Sequence, residues 1–345
     1  MLWRNCGVEL ITHNSWSKGD ATEKMTLVNV AHLYVTYETN PSIRAVTDVS
    51  LEVNETTCLC IVGESGCGKS TLARAIGRIL PPLGRVKKGE VYIDGEEITK
   101  MDENKLNREV RWKKYAIIFQ NAATSLNPFL RVQDQITEVL TRHLGISKEQ
   151  ALQRSEEVLT SVKFPVSRMR SYPHELSGGM KQRVAIAIAL ACNPKLVIGD
   201  EIATGLDVTT AAQIGVLLKE LVHNGLTLVL NTHDIGFATD IADNIAVMYA
   251  GRIVEVAPTD DWVKNPIHPY SIALLASIPR STDPNFKPKS IPGDPPKLSV
   301  DIPGCPYAPR CKYAQTICYE KEPPIISVGS GKAACHFAGK LEESK

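Results

Sequence analysis

The run GESGCGKS at 63–70 sets three glycines, a lysine and a serine at the spacing that grips phosphate. Gly63, Gly66 and Gly68 let backbone amides turn inward around phosphate oxygens, and a helix starting here adds positive potential. The Lys69 ammonium can reach the outer phosphates of a nucleotide and the Ser70 hydroxyl can ligate Mg²⁺, with Ser65, Cys67 and Thr71 completing the cradle. LSGGMKQR at 176–183 is a second phosphate-suited helix start, where Ser177, Gly178 and Gly179 offer a hydroxyl and unobstructed amides. KLVIGDE at 195–201 ends in two carboxylates: Asp200 can enter a magnesium shell, and Glu201 can orient or deprotonate water. Alone, that pair is equally a core strand meeting a solvated loop. Beside the phosphate loop it indicates a nucleotide hydrolase.

These groups must be delivered by buried strands. CLCIVG at 58–63, KYAIIFQ at 114–120, KLVIGDE and LTLVLNTHD at 226–234 are apolar runs with polar ends, as parallel strands presenting chemistry at their carboxyl edge would be. Strand-like and helical runs alternate from Thr26 to about Val254, which implies an α/β domain with a largely parallel sheet. A helix-rich stretch at about 125–180 reads as an inserted helical subdomain. Within it Ser147 and Gln150 resemble a capping box, and Leu152, Leu159 and Val162 recur on one helical face.

Over roughly 26–256 the sequence resembles the ABC ATPase family. GESGCGKS looks like its Walker A loop, LSGGMKQR its signature, KLVIGDE its Walker B strand, Gln120 in IFQ its Q-loop, Asp207 in GLD its D-loop and His233 in NTHD its switch histidine. Taken singly, Gln120 and His233 would be ordinary polar residues at strand ends; the motif order gives them roles. The resemblance implies a P-loop ATPase fold in which ATP and Mg²⁺ lie between the Walker A loop of one subunit and the signature of another. The signature's Ser177, Gly178, Gly179 and Gln182 would then meet the partner's nucleotide. It further implies Glu201 as general base, His233 at the γ-phosphate, and Gln120 sensing Mg²⁺, water and the membrane partner. Tyr37, with Tyr34 as competitor, stands where the family stacks an aromatic ring on adenine. Two positions depart from the pattern: Ile202 replaces the usual proline, and Gly205 the usual alanine or serine.

After Val256 prolines become dense and four cysteines cluster, so a separate module is expected over 257–345. IFQNAATSLNPFLRV, NPIHPYSIALLASIP, IPGDPPKL and GCPYAPRCKYAQTIC resemble the ATPases of oligopeptide and dipeptide ABC importers. Cys305, Cys311, Cys318 and Cys335 suit an iron–sulfur cluster, zinc, or disulfides or free thiols; the first spacings exceed those of usual zinc hairpins, and a reducing cytosol disfavours disulfides. The resemblance implies a 4Fe-4S cluster, whose loss is expected to loosen the tail and spare the phosphate loop. Cys58, Cys60 and Cys192 read as small core residues, and Cys6 as part of an N-terminal tail over 1–25.

The composition, 43% hydrophobic and 22% charged with a formal net charge of +1, gives no electrostatic case for nucleic acid. The longest apolar run, VAIAIALAC at 184–192, is too short to span a bilayer, and the start of the chain lacks a secretory signal. The expected protein is therefore a peripheral subunit on the cytoplasmic face of the cell membrane. Its expected partners are a second ABC ATPase subunit, two transmembrane permease subunits and, indirectly, a solute-binding protein. The competing function, a soluble ABC ATPase acting on DNA or ribosomes, would call for sustained heptads, a repeat of the motifs or a basic surface, and the sequence has none of these.

Overall fold

A computed structural model of the chain describes residues 25–121, 125–278 and 288–341. Of the expected N-terminal tail only Met25 falls within them, and Cys6 lies outside the described residues. An antiparallel sheet comprises β1 (Thr26–Tyr37), β2 (Ile43–Asn54), β4 (Gly84–Ile93) and the short β5 (Glu96–Glu97), in the order β2-β1-β4-β5. A larger sheet holds β3 (Cys58–Val62), β6 (Tyr115–Ile118), β7 (Leu196–Asp200), β8 (Thr227–Asn231), β9 (Asn244–Tyr249), β10 (Arg252–Pro258), β11 (Ile325–Val328) and β12 (Gly331–Ala334). Its order is β11-β12-β10-β9-β3-β8-β7-β6. The four strands expected to carry the chemistry are thus neighbours, and every pairing among them is parallel.

Both faces of that sheet are covered, which is why its strands read as unbroken apolar runs. Successive side chains point to opposite faces. Leu59, Ile61, Leu196 and Ile198 pack with β1, β2 and helix α1 (Lys69–Ile76). Cys58, Cys60, Val62 and Val197 pack toward helices α2 (Val132–Leu144), α3 (Lys148–Ser161), α4 (Gly178–Leu190) and α5 (Val208–His223). Burying each aliphatic side chain of this kind stabilises the fold by roughly 1.5–3 kcal/mol, so the sheet between its two covers fixes the strand ends that carry the site. Among the described residues no helix is long and apolar enough to cross a membrane.

The capping box expected at Ser147 forms: its hydroxyl accepts from the Gln150 amide at 3.3 Å, and the Gln150 side chain accepts from the Ser147 amide at 3.0 Å. The apolar face of α3 differs from the expected one. Leu159 and Val162 are buried, but Leu152 is 37% exposed, and the packed face runs through Ala151, Ser155, Val158 and Leu159. Ser155 can occupy that face because its hydroxyl donates to the Ala151 carbonyl at 2.7 Å, so burial leaves no unpaired polar group.

The C-terminal segment joins the main sheet through β12, which pairs with β10 at Glu255↔Ala333 and Val256↔Lys332. Beneath this junction lie a buried carboxyl and a buried imidazole that bond to backbone amides. Burial pushes the Glu255 carboxyl up, and its oxygens accept the backbone amides of Ile267 and His268 at 2.8 and 2.7 Å. His268, fully buried, is driven down to about 3, a neutral ring whose Nδ1 accepts the Tyr270 amide at the start of helix α6 (Pro269–Ala276).

Candidate active site

The phosphate loop is the turn between β3 and α1. Gly68 takes φ 110 at the helix start, and a side chain there would meet the Ala45 carbonyl of β2 at 2.2 Å. Only glycine fits both the left-handed backbone and the close approach. Lys69 is buried, and its ammonium donates to the carbonyls of Gly63 at 2.7 Å and Glu64 at 2.9 Å, while Ser65 and Gly66 stay exposed. Its charge is thereby held by neutral groups, poised for an anionic ligand.

At the carboxyl edge of β7 the Ser70 hydroxyl donates to Asp200 Oδ1 at 2.8 Å. Among the described residues the other oxygen, Oδ2, is buried with no hydrogen-bond partner, and the nearest cation, Arg74, stands 3.8 Å away. An orphaned buried carboxylate oxygen beside a serine hydroxyl is a donor set that fits a hard divalent cation. Asn231, level with Asp200 on β8, completes this floor by donating to the Lys69 carbonyl at 2.9 Å.

Glu201 follows in a left-handed turn, φ 52, which lifts its side chain off the strand line. Its carboxylate accepts from Gln120 Nε2 at 2.7 Å and Thr204 Oγ1 at 3.2 Å, and lies 3.3 Å from His233 Nδ1. The carboxyl ends of β6, β7 and β8 therefore bring together the three residues assigned to catalysis, and Ile202, where the family pattern has proline, is buried beneath them. Tyr37 is tied to α1 through a 3.0 Å contact between its hydroxyl and Thr71 Oγ1, whereas the Tyr34 ring faces the Lys88 ammonium.

The signature lies at the start of α4. Ser177 caps the helix by accepting the Met180 amide at 3.3 Å; Ser177 and Gly178 are exposed and Gly179 half-buried. Gln182 sits on the packed side, 4% exposed, with Nε2 lacking a partner among the described residues. Asp207 caps α5 by accepting both the amide and the hydroxyl of Thr210, bonds that hold its carboxyl below the usual carboxylate range. Gly205, the other departure from the family pattern, takes φ 80 in the turn before it.

Cys305, Cys311, Cys318 and Cys335 line one cavity with His268, Tyr307 and His336. Burial pushes Cys305 up to about 11, with the neighbouring thiols adding to the shift, and burial also raises Cys311 and Cys335. The metal expectation nevertheless meets an opposing observation: among the described residues no three His, Cys, Asp or Glu are grouped to hold one metal ion. Four sulfurs on a single zinc would stand about 3.8 Å apart, given bonds of ~2.3 Å in a tetrahedron. The arrangement thus counts against zinc and does not by itself support a cluster. Cys58, Cys60 and Cys192 are buried, as expected of small core residues.

Sequence reasoning missed Glu64, Tyr270 and Arg310. The Glu64 amide donates to the Tyr270 hydroxyl at 2.9 Å, and its carboxylate receives a two-pronged ion pair from Arg310 at 2.7 and 2.9 Å. The tail expected to be independent of the phosphate loop is bonded directly to it. Asn231 was also missed, although a polar residue closing an apolar strand level with Asp200 is a signal that sequence could have supplied.

This fold and site define a nucleotide-binding ABC cassette. The ABC transporter family model matches residues 46–204, and the model of the oligopeptide/dipeptide transporter C-terminal region matches 254–318. The chain is 43% identical over 315 residues to the oligopeptide transport ATP-binding protein OppD of Salmonella typhimurium, covering 90% of this chain and 93% of that one. It is 42% identical to OppD of Bacillus subtilis over 88% and 86% of the two chains. The dimeric post-hydrolysis structure of the ATP-binding cassette MJ0796 bound to ADP and Pi superposes with a TM-score of 0.61 at 31% identity, covering 68% of this chain and 99% of that one. The chain belongs to the ABC transporter ATP-binding proteins, within the group of oligopeptide transport ATP-binding proteins.

Proposed function

We propose that the chain is the ATP-hydrolysing subunit that powers an ABC importer of oligopeptides or dipeptides, or of related solutes such as oligosaccharides, through ATP-driven dimerisation. The observation that carries the reading is the meeting of Gln120, Glu201 and His233 beside the phosphate loop, in a chain whose C-terminal region matches the peptide-transporter family.

In this reading Lys69 and the amides of Gly63, Ser65, Gly66, Cys67, Gly68, Ser70 and Thr71 hold the phosphates of ATP, and Tyr37 stacks on the adenine. Ser70, Asp200 and Gln120 hold Mg²⁺, which when bound neutralises charge on the phosphates. Glu201 takes a proton from the attacking water, and His233 holds the γ-phosphate. Asp207 and the signature residues Ser177, Gly178, Gly179 and Gln182 serve the composite site with a second ATPase subunit, a copy or a paralogue. We assign 26–256 to the ATPase domain, with its helical subdomain at about 125–180, 1–25 to a tail, and 257–345 to the transporter-type extension. Two permease subunits anchor the pair to the cytoplasmic face of the membrane, a solute-binding protein acts indirectly, and nucleic acid has no part.

Vesicles carrying the assembled transporter are expected to take up peptide only with internal ATP and the binding protein. Uptake of an oligosaccharide instead would redirect the substrate, and ATP hydrolysis stimulated by DNA or ribosomes but not by the permeases would overturn the transport role.

The four C-terminal cysteines are proposed to hold a 4Fe-4S cluster. Their support is one cavity lined by all four, in which burial raises the Cys305, Cys311 and Cys335 thiols. Anaerobically purified protein is expected to carry about four irons per chain, with Cys311→Ser removing them. Zinc without iron, or no metal at all, would dispose of the cluster.

A further inference from the structure

Arg310 lies in the turn between Cys305 and Cys311, yet its side chain is 5% exposed and reaches the phosphate loop. Its Nε donates to the Pro292 carbonyl at 2.8 Å, one terminal nitrogen donates to Glu64 at 2.7 Å and the Tyr249 hydroxyl at 3.1 Å, and the other donates to Glu64 at 2.9 Å. The guanidinium also lies over the Tyr249 and Tyr307 rings, and Tyr307 packs against Tyr249 and Tyr270. Glu64 is the second residue of the loop, and its carbonyl accepts both the Lys69 ammonium and the Cys67 amide. One end of Glu64 is thus held by the tail while the other shapes the loop.

We propose that Arg310 is a positioning residue of the phosphate loop, clamping and neutralising Glu64 so that Lys69 is left free for the nucleotide. The inference rests on the ATP-binding reading above. Two physical effects support it. A rigid planar fork on a carboxylate fixes that side chain in direction as well as distance. A carboxylate released at this point would repel a triphosphate and compete with it for the Lys69 ammonium, in surroundings where charges are poorly screened. Tyr270, by accepting the Glu64 amide, holds the same residue from α6.

The two effects make rescue the decisive readout, because a variant that merely loosens the tail is not repaired by changing the loop. Affinity for Mg²⁺ with a fluorescent ATP analogue is to be measured on the full chain, alongside kcat and KM. Arg310→Ala is expected to weaken binding about tenfold, a change of ~1.4 kcal/mol, with kcat at saturating ATP altered less than about twofold. Arg310→Lys, which keeps the charge without the fork, should fall between and serves as the test if the alanine variant does not fold. Adding Glu64→Gln to either variant should restore most of the lost affinity. Wild-type affinity in both Arg310 variants, or a Glu64→Gln change that adds to the loss, would overturn the proposal. Failure of the unaltered chain to bind the analogue would instead overturn the ATP-binding reading on which it rests.

Discussion

Replacing Glu201 by glutamine is expected to lower ATP turnover by about 10²–10⁴-fold, the usual contribution of a general base, while leaving binding of MgATP intact. The substitution keeps size and one acceptor oxygen, so the contacts from Gln120 and Thr204 can persist, and what disappears is the ability to take a proton. A bound but unhydrolysed nucleotide should also hold two subunits together. Phosphate release, nucleotide binding and light scattering, each with the paralogous ATPase and the permeases present, check the three parts. Turnover at the wild-type rate would remove Glu201 from its role, and a strict monomer under all these conditions would sink the two-subunit site.

Lys69→Ala should act one step earlier, weakening nucleotide binding itself by about ten- to a hundredfold, which corresponds to one lost charge-assisted contact of ~1.5–3 kcal/mol. Among the described residues the buried ammonium has only the carbonyls of Gly63 and Glu64 and a 3.7 Å contact with the Cys67 sulfur. Removing it takes a donor from the Gly63 carbonyl and one of two from the Glu64 carbonyl, a modest stability loss, but it strips the loop of its only positive side chain. Equilibrium titration separates this outcome from that of Glu201→Gln. An unchanged dissociation constant for MgATP would show that the backbone amides and the helix start suffice.

What could be read from the sequence was whatever is written within a few residues. The phosphate loop, the carboxylate pair and the four parallel strands are local patterns, in which an apolar run must end where burial ends, and the strands pair as expected. Joining Gln120, Glu201 and His233 took the ordered motifs of a family, because residues 81 positions apart cannot be paired from spacing alone. Leu152 was misplaced because helical periodicity tolerates more than one stripe, and the choice fell to a buried serine that satisfies its own hydroxyl. Arg310 could not have been anticipated: it stands 246 residues from Glu64, and nothing in a lone arginine within a proline-rich tail distinguishes a buried fork from a solvated charge.

The β11–β12 hairpin bears on how this chain can be cut. A cassette ending after β10 would retain every residue of the nucleotide site yet lose the strand that pairs with Glu255 and Val256, leaving backbone donors and acceptors open along one margin of the large sheet. A raw margin of that kind invites a strand from another molecule. The tail therefore also works as a hem, and a shortened chain would be prone to join its neighbours edge to edge, besides losing the hold of Tyr270 and Arg310 on Glu64.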